Sequence, residues 1–211
     1  MNGYADRREA GRALGRALAE FAGQPDVLVL GLPRGGVVVA AEVARALDAP
    51  LDALMVRKLG VPGYEELAMG AIATGGTRVL NQDVIAKLGI PAGALNTVAA
   101  AEEAELVRRE RTYRGDRAAP DVCGATVVLV DDGLATGATM RAAAAAVKAM
   151  GASRIVVAVP VAPLETIAEF TAAGIEVVCP LRPARFGGVG AFYANFSQTT
   201  DQEVRQLLLD G

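Results

Sequence analysis

Short apolar runs alternate with helix-period stretches along almost the whole chain, and this alternation limits the possible folds more than any other feature. Residues 27–30, Val-Leu-Val-Leu closed by Gly31, form a continuous apolar run that suits a strand buried on both faces. Before it, Ala10, Leu14, Ala17, Leu18 and Phe21 fall on one stripe, so residues 8–21 read as an amphipathic helix. After it, a helix is expected over 38–47 and a strand over 51–56. The order then returns: strand 126–130, helix 138–150, strand 154–161, helix 163–173 and strand 175–179. Strands separated by helices predict an α/β fold, a three-layer sandwich around a mainly parallel sheet. A chain of 211 residues suits one such domain, at roughly 100–200 residues per domain.

The middle of the chain is less regular. Residues 68–74 and 77–80 can pair as a hairpin around Gly75-Gly76, and a polar helix is expected over 92–113. The Glu105/Arg109 and Glu110/Arg114 spacings allow ion pairs along that helix. Its charge run reads as a solvated helix face, with a partner surface as the other reading.

The chain has no histidine, which excludes Ser-His-Asp or Cys-His nucleophiles, histidine-ligated zinc and an imidazole base. Two cysteines, Cys123 and Cys179, are too few for a disulfide framework, so a reduced intracellular protein is expected. With 21 basic against 24 acidic residues the net charge is −3, which argues against a non-specific nucleic-acid binder. It leaves room for a local basic pocket. The polar start and the lack of any apolar run near the roughly 20 residues of a membrane span predict a cytoplasmic protein without membrane contact.

The chemistry is concentrated in residues 126–140, where a strand leads into Asp131-Asp132, then a loop of small and hydroxyl residues, then a helix start. Gly137 and Ala138 let the backbone turn tightly, so that several N–H groups can face one concavity. Thr136 and Thr139 add hydroxyl donors at a helix N-terminus, where the dipole favours an anion. The paired carboxylates can accept hydrogen bonds from a vicinal diol or hold a hydrated divalent cation. A ligand carrying both a sugar and a phosphate would satisfy all of these groups. The segment lacks the lysine of a Walker loop, and Gly188-x-Gly190 lacks the strand and helix context of a dinucleotide fingerprint.

The string Val128-Leu129-Val130-Asp131-Asp132-x-x-Ala135-Thr136-Gly137-x-Thr139 resembles the PRPP-binding motif of the type I phosphoribosyltransferases, PRPP being 5-phosphoribosyl 1-pyrophosphate. Gly31-Leu32-Pro33-Arg34-Gly35-Gly36 resembles that family's pyrophosphate loop, which often contains an unusual cis peptide. Arg57-Lys58 resembles a basic pair that some members place near the pyrophosphate; read by itself it is surface charge.

The resemblance implies a Rossmann-like core of about 24–180 within a single phosphoribosyltransferase domain, with a small hood from about 1–23 and 181–211. It implies transfer of the phosphoribosyl group to a nitrogen acceptor, a nucleobase, with release of pyrophosphate and with Mg²⁺ as cofactor. Ala135, Thr136, Gly137, Ala138 and Thr139 would hold the 5′-phosphate. Asp131 and Asp132 would hold the ribose hydroxyls and reach the metal through water or the ribose. Arg34, Gly35, Gly36, Arg57 and Lys58 would face the pyrophosphate. A homo-oligomer, a dimer, is also implied.

The acceptor is less legible. Ala135 stands where hypoxanthine-guanine-type members carry an aspartate, which points away from a 6-oxopurine and toward adenine-type or some orotate-type enzymes. Tyr64-Glu65-Glu66 loosely matches the mobile loop of adenine enzymes, with Glu65 as the acid; a solvated loop is the plainer reading. Phe186, Phe192 and Tyr193 are candidates for stacking on a flat acceptor or for packing the tail onto the core. A different class of function remains open: a regulator that binds PRPP on the same fold without transferring it.

Overall fold

The computed structural model describes residues 3–115 and 117–210, with all their side chains except those of Glu65 and Glu66. Its centre is a five-stranded sheet built from β1 (Val27–Gly31), β2 (Leu51–Ala53), β6 (Thr126–Val130), β7 (Arg154–Ala158) and β8 (Glu176–Val178). The spatial order is β2-β1-β6-β7-β8 and every pairing is parallel. Helices α1 (Arg7–Ala17), α2 (Gly35–Leu47) and α7 (Asp201–Asp210) and helices α5 (Ala138–Ala149) and α6 (Leu164–Ala172) flank it, and α4 (Ala92–Arg114) packs beside α7.

The strand side chains explain why there are three layers. Val128 and Val130 of β6 pack with Leu14 of α1, Val39 of α2, Leu106 of α4 and Leu207 of α7. The intervening Val127 and Leu129 pack with Met140 and Val147 of α5 and Phe170 of α6. Successive strand residues face opposite sides, so a run that is apolar at every position requires helices on both faces. The C-terminal helix α7 thus contributes Val204, Leu207 and Leu208 to the main core.

The run expected as one strand over 51–56 divides. β2 pairs with β1 as far as Ala53, opposite Gly31. The chain then leaves that sheet, and β3 (Val56–Val61), β4 (Tyr64–Ala73) and β5 (Thr77–Leu80) form an antiparallel sheet of their own. Met55 at the junction donates its N–H to the hydroxyl of the fully buried Thr74, 3.0 Å away. The run is apolar but for Asp52, so hydropathy alone gave no sign of the break.

The expected hairpin is present as β4-β5, with Ala73 opposite Thr77 and Gly75 at φ 75° in the turn. Helix α3 (Gln82–Leu88), capped by Asn81, follows it. The expected solvated face of α4 holds at Arg108 and Arg111 but not at two of the acids: Glu102 pairs with Arg57 of β3 at 2.5 Å and Glu103 with Arg78 of β5 at 2.5 Å. The helix lies across the small sheet, and its acids answer strand arginines.

Candidate active site at adjacent strand ends

β1 and β6 run side by side in register, Gly31 opposite Val130, so the loops that follow them emerge together at the C-terminal edge of the sheet. Open α/β sheets bind ligands at this edge. The first loop, Leu32-Pro33-Arg34, contains a cis peptide between Pro33 and Arg34 and runs directly into α2 at Gly35. The second passes through Asp131 and Asp132 to Gly137, whose φ of 71° turns the chain into α5 at Ala138. Two helix N-termini therefore face one edge, each with N–H groups that have no partner inside its helix.

The acid pair lies between them. Asp131 Oδ1 accepts the N–H of Asp132 at 2.8 Å. Asp132 Oδ2 accepts from Arg7 Nε at 2.7 Å, both side chains being largely shielded from solvent. Gly36 leaves the space Asp131 occupies: a Cβ there would stand 2.9 Å from Asp131 Cα and Oδ1. A Cβ on Gly35 would meet the Asp132 carboxylate in the same way. Burial raises the pKa of both acids, Asp131 well above the ordinary carboxylate range, where the neighbouring Asp132 charge pushes it further. At Asp132 the Arg7 guanidinium opposes that rise.

Beyond the acids, Ala135, Thr136 and Thr139 are exposed at the start of α5, while Gly137 is buried against Phe170 and Thr166. Thr166 donates its hydroxyl to the Ala135 carbonyl at 2.8 Å, and Arg141 donates to the Thr136 carbonyl. These bonds pin two carbonyls of the turn.

The structure separates the basic pair. Arg57 lines a small cavity with Pro33, Thr139 and Arg109, between the two loops. Lys58 lines another, of about 590 Å³, with Gly70, Ala138 and Arg141. Adjacent residues of β3 point to opposite faces, so the pair expected together at the pyrophosphate is divided. Arg34 sits 3.7 Å from Asp201 at the start of α7. Asp201 also accepts from the Tyr113 hydroxyl at 2.8 Å, and burial with that bond pushes the Tyr113 pKa up to about 12.

Of the aromatic candidates, Phe186 and Phe192 stack at 5.5 Å between centroids and are half-buried. Tyr193 departs from its expected acceptor role. It is buried, packs between Tyr4 and Phe196, and donates its hydroxyl to the Asp132 carbonyl at 2.5 Å. Glu65 falls in β4 and not in a loop, and its side chain lies outside the described residues.

Arg7 carries no signal in the sequence, because its partner is 125 positions away. Arg109 and Asp201 are likewise joined to the site only by the packing of α4 and α7.

Comparison with known proteins agrees with this geometry. Residues 4–180 match the family described as the phosphoribosyl transferase domain. A Mycobacterium tuberculosis protein named "Putative phosphoribosyl transferase Rv0571c" is 49% identical over 204 residues, 97% of this chain and 46% of that protein. The chain thus spans about half the length of the curated relatives it matches. The crystal structure of TT1426 from Thermus thermophilus superposes with a TM-score of 0.90 at 45% identity, over 99% of this chain and 98% of that one. The AQ2163 protein of Aquifex aeolicus, at 11% identity and a TM-score of 0.52 over 87% of this chain and 78% of that one, shares the fold alone. With the match running from Tyr4 through both loops to the last strand of the sheet, the chain belongs to the phosphoribosyl transferase domain family.

Proposed function

We propose that the chain transfers the 5-phosphoribosyl group of PRPP to a ring nitrogen of a nucleobase and releases pyrophosphate, with Mg²⁺ as cofactor. The observation that carries this reading is the pair of helix N-termini with two carboxylates between them at adjacent strand ends. PRPP has the matching order of groups: a monophosphate, a diol and a pyrophosphate.

In this reading the turn 135–139 holds the 5′-phosphate through main-chain amides and the hydroxyls of Thr136 and Thr139. Asp131 and Asp132 accept hydrogen bonds from the ribose hydroxyls. Gly35 and Gly36 let the pyrophosphate approach the amides of α2, with Arg34 and Arg57 supplying charge. Lys58 faces the other side of β3 and is left out of that set.

The reaction displaces pyrophosphate from the anomeric carbon. The acceptor nitrogen forms the new C–N bond, the C–O bond breaks with its electron pair leaving on pyrophosphate, and the proton on the acceptor nitrogen passes to that pyrophosphate or to water. Positive charge develops on the ring and negative charge on the leaving group. Carboxylates beside the ring and donors around the pyrophosphate are placed to stabilise that separation without a covalent intermediate. Among the described residues no three His, Cys, Asp or Glu side chains gather as a metal cage. This fits Mg²⁺, which keeps several waters and is bound largely by substrate phosphates with one or two carboxylates. Asp131 and Asp132 would reach it through water, and when bound it would offset the pyrophosphate charge. The stacked rings of Phe186 and Phe192 offer a flat wall for the acceptor.

The test is pyrophosphate release with PRPP, Mg²⁺ and a panel of nucleobases. Release on one base is the expected result, lost in the Asp131→Asn/Asp132→Asn double variant while its circular dichroism stays native. Tight PRPP binding with no turnover on any base would identify a PRPP sensor instead. Failure to bind PRPP would overturn the reading.

A further inference from the structure

We propose that Arg7, on the N-terminal helix, is a positioning residue for Asp132 and through it sets the site's preference for a ribose over a deoxyribose. The inference rests on the PRPP reading of the acid pair and extends it to a part of the chain outside the motif.

The guanidinium is fixed from three directions. Its Nε donates to Asp132 Oδ2 at 2.7 Å. Its Nη1 donates to the Ser197 carbonyl at 2.7 Å. Its plane lies over the Phe196 ring, 3.9 Å from the centroid. Asp6, which caps α1 by accepting the Glu9 N–H at 2.9 Å, sets where the helix begins and so where Arg7 leaves it. A guanidinium held by a carbonyl, a ring and a carboxylate has few rotamers left, and it passes that restriction on to the carboxylate.

Asp132 gains a defined orientation from this contact. One oxygen is taken by Arg7 above Gly35, and among the described residues no other residue's donor bonds the second. Asp131 is arranged alike, with Oδ1 on the Asp132 amide and Oδ2 without such a bond. Two carboxylate oxygens, one from each acid, are thereby left as acceptors for two neighbouring hydroxyls. Without Arg7 the Asp132 carboxylate can rotate, and the pair loses the cation that balances it. A diol loses more from this than a ligand with one hydroxyl fewer, because the second hydrogen bond depends on the orientation.

The experiment measures binding of PRPP, ribose 5-phosphate, 2-deoxyribose 5-phosphate and metal-free pyrophosphate to the wild-type chain, Arg7→Met and Arg7→Lys. Met keeps an apolar stem against Phe196, and Lys keeps the charge without the planar fork. In Arg7→Met, PRPP and ribose 5-phosphate are expected to bind at least about tenfold more weakly, the scale of one charge-assisted hydrogen bond. The ribose-to-deoxyribose preference should fall toward one, pyrophosphate binding should stay within about twofold, and Arg7→Lys should lie between. A general loss of structure would weaken all four ligands together and leave the preference unchanged. That pattern, or wild-type preference in Arg7→Met, overturns the proposal while the PRPP reading stands. A wild-type chain that binds none of the sugar phosphates overturns both.

Discussion

A Cβ on Gly36 would stand 2.9 Å from Asp131 Cα, from Asp131 Oδ1 and from the Val130 carbonyl oxygen. Two of these atoms belong to the backbone of the sheet edge and cannot swing aside as a flexible side chain would. Gly36→Ala is expected to cost about 1–3 kcal/mol, the range for forcing extra atoms into a packed site, and to weaken PRPP binding by displacing Asp131. Gly93 is the contrasting case: it lies inside α4, has an ordinary helical backbone and faces open space. Gly93→Ala should leave binding unchanged and stabilise the chain by about 0.5–1 kcal/mol through the entropy of the unfolded state. Urea unfolding of the two variants, with a PRPP titration of each, checks both expectations. At this scale the turn into α5 at Gly137 was readable in the sequence because its conformational demand is local, whereas the close approach of Asp131 to Gly36 was not. Nor was what holds Asp132, since Arg7 and Tyr193 reach it from both ends of the chain.

The element that most changes meaning on folding is α4. Its charges look like a solvated face in sequence, yet they divide into three environments. Glu105 meets Arg108 and Arg109 in the open, and those hydrogen bonds hold its carboxyl down to about 2. Arg78 and Glu103 form a half-exposed pair between β5 and the helix. Arg114, with a side chain only 3% exposed, bonds to Asp52 and donates to the Ala53 carbonyl at 2.6 Å. Solvent screening limits the Arg78–Glu103 coupling to about 0.2–1 kcal/mol in a double-mutant cycle. Arg114→Met should cost about 3–5 kcal/mol, because it leaves the largely buried Asp52 carboxylate without its cation at the edge strand β2. Denaturant midpoints of these variants measure the difference. Equal effects would show that α4 docks by its apolar stripe of Ala99, Leu106 and Tyr113 alone.

For the whole molecule, the acid pair is an electrostatic cost carried at the C-terminal edge of the sheet. Burial raises both pKa values, so the folded chain binds protons at these carboxylates more tightly than the unfolded chain does. The pair's own contribution to stability is therefore greatest below the ordinary carboxylate range and declines as pH rises through it toward the raised values. In ligand-free protein without divalent cation, Asp131→Asn should raise the melting temperature at about pH 7 and abolish PRPP binding. That gain should shrink below about pH 4, where the wild-type acids are protonated too. A melting temperature at neutral pH that is unchanged or lower would show that Asp131 carries no such penalty. The layered architecture, the two loops and the acid pair were legible in the sequence, because apolar periodicity decides which faces are buried and small residues decide where a backbone can turn; that β1 and β6 lie side by side was not. The division of residues 51–56 between two sheets, the parting of Arg57 from Lys58 and the reach of Arg7 to Asp132 were decided only by the tertiary structure. Those outcomes depend on side chains far apart in sequence meeting as whole elements pack, and no local pattern encodes such a meeting.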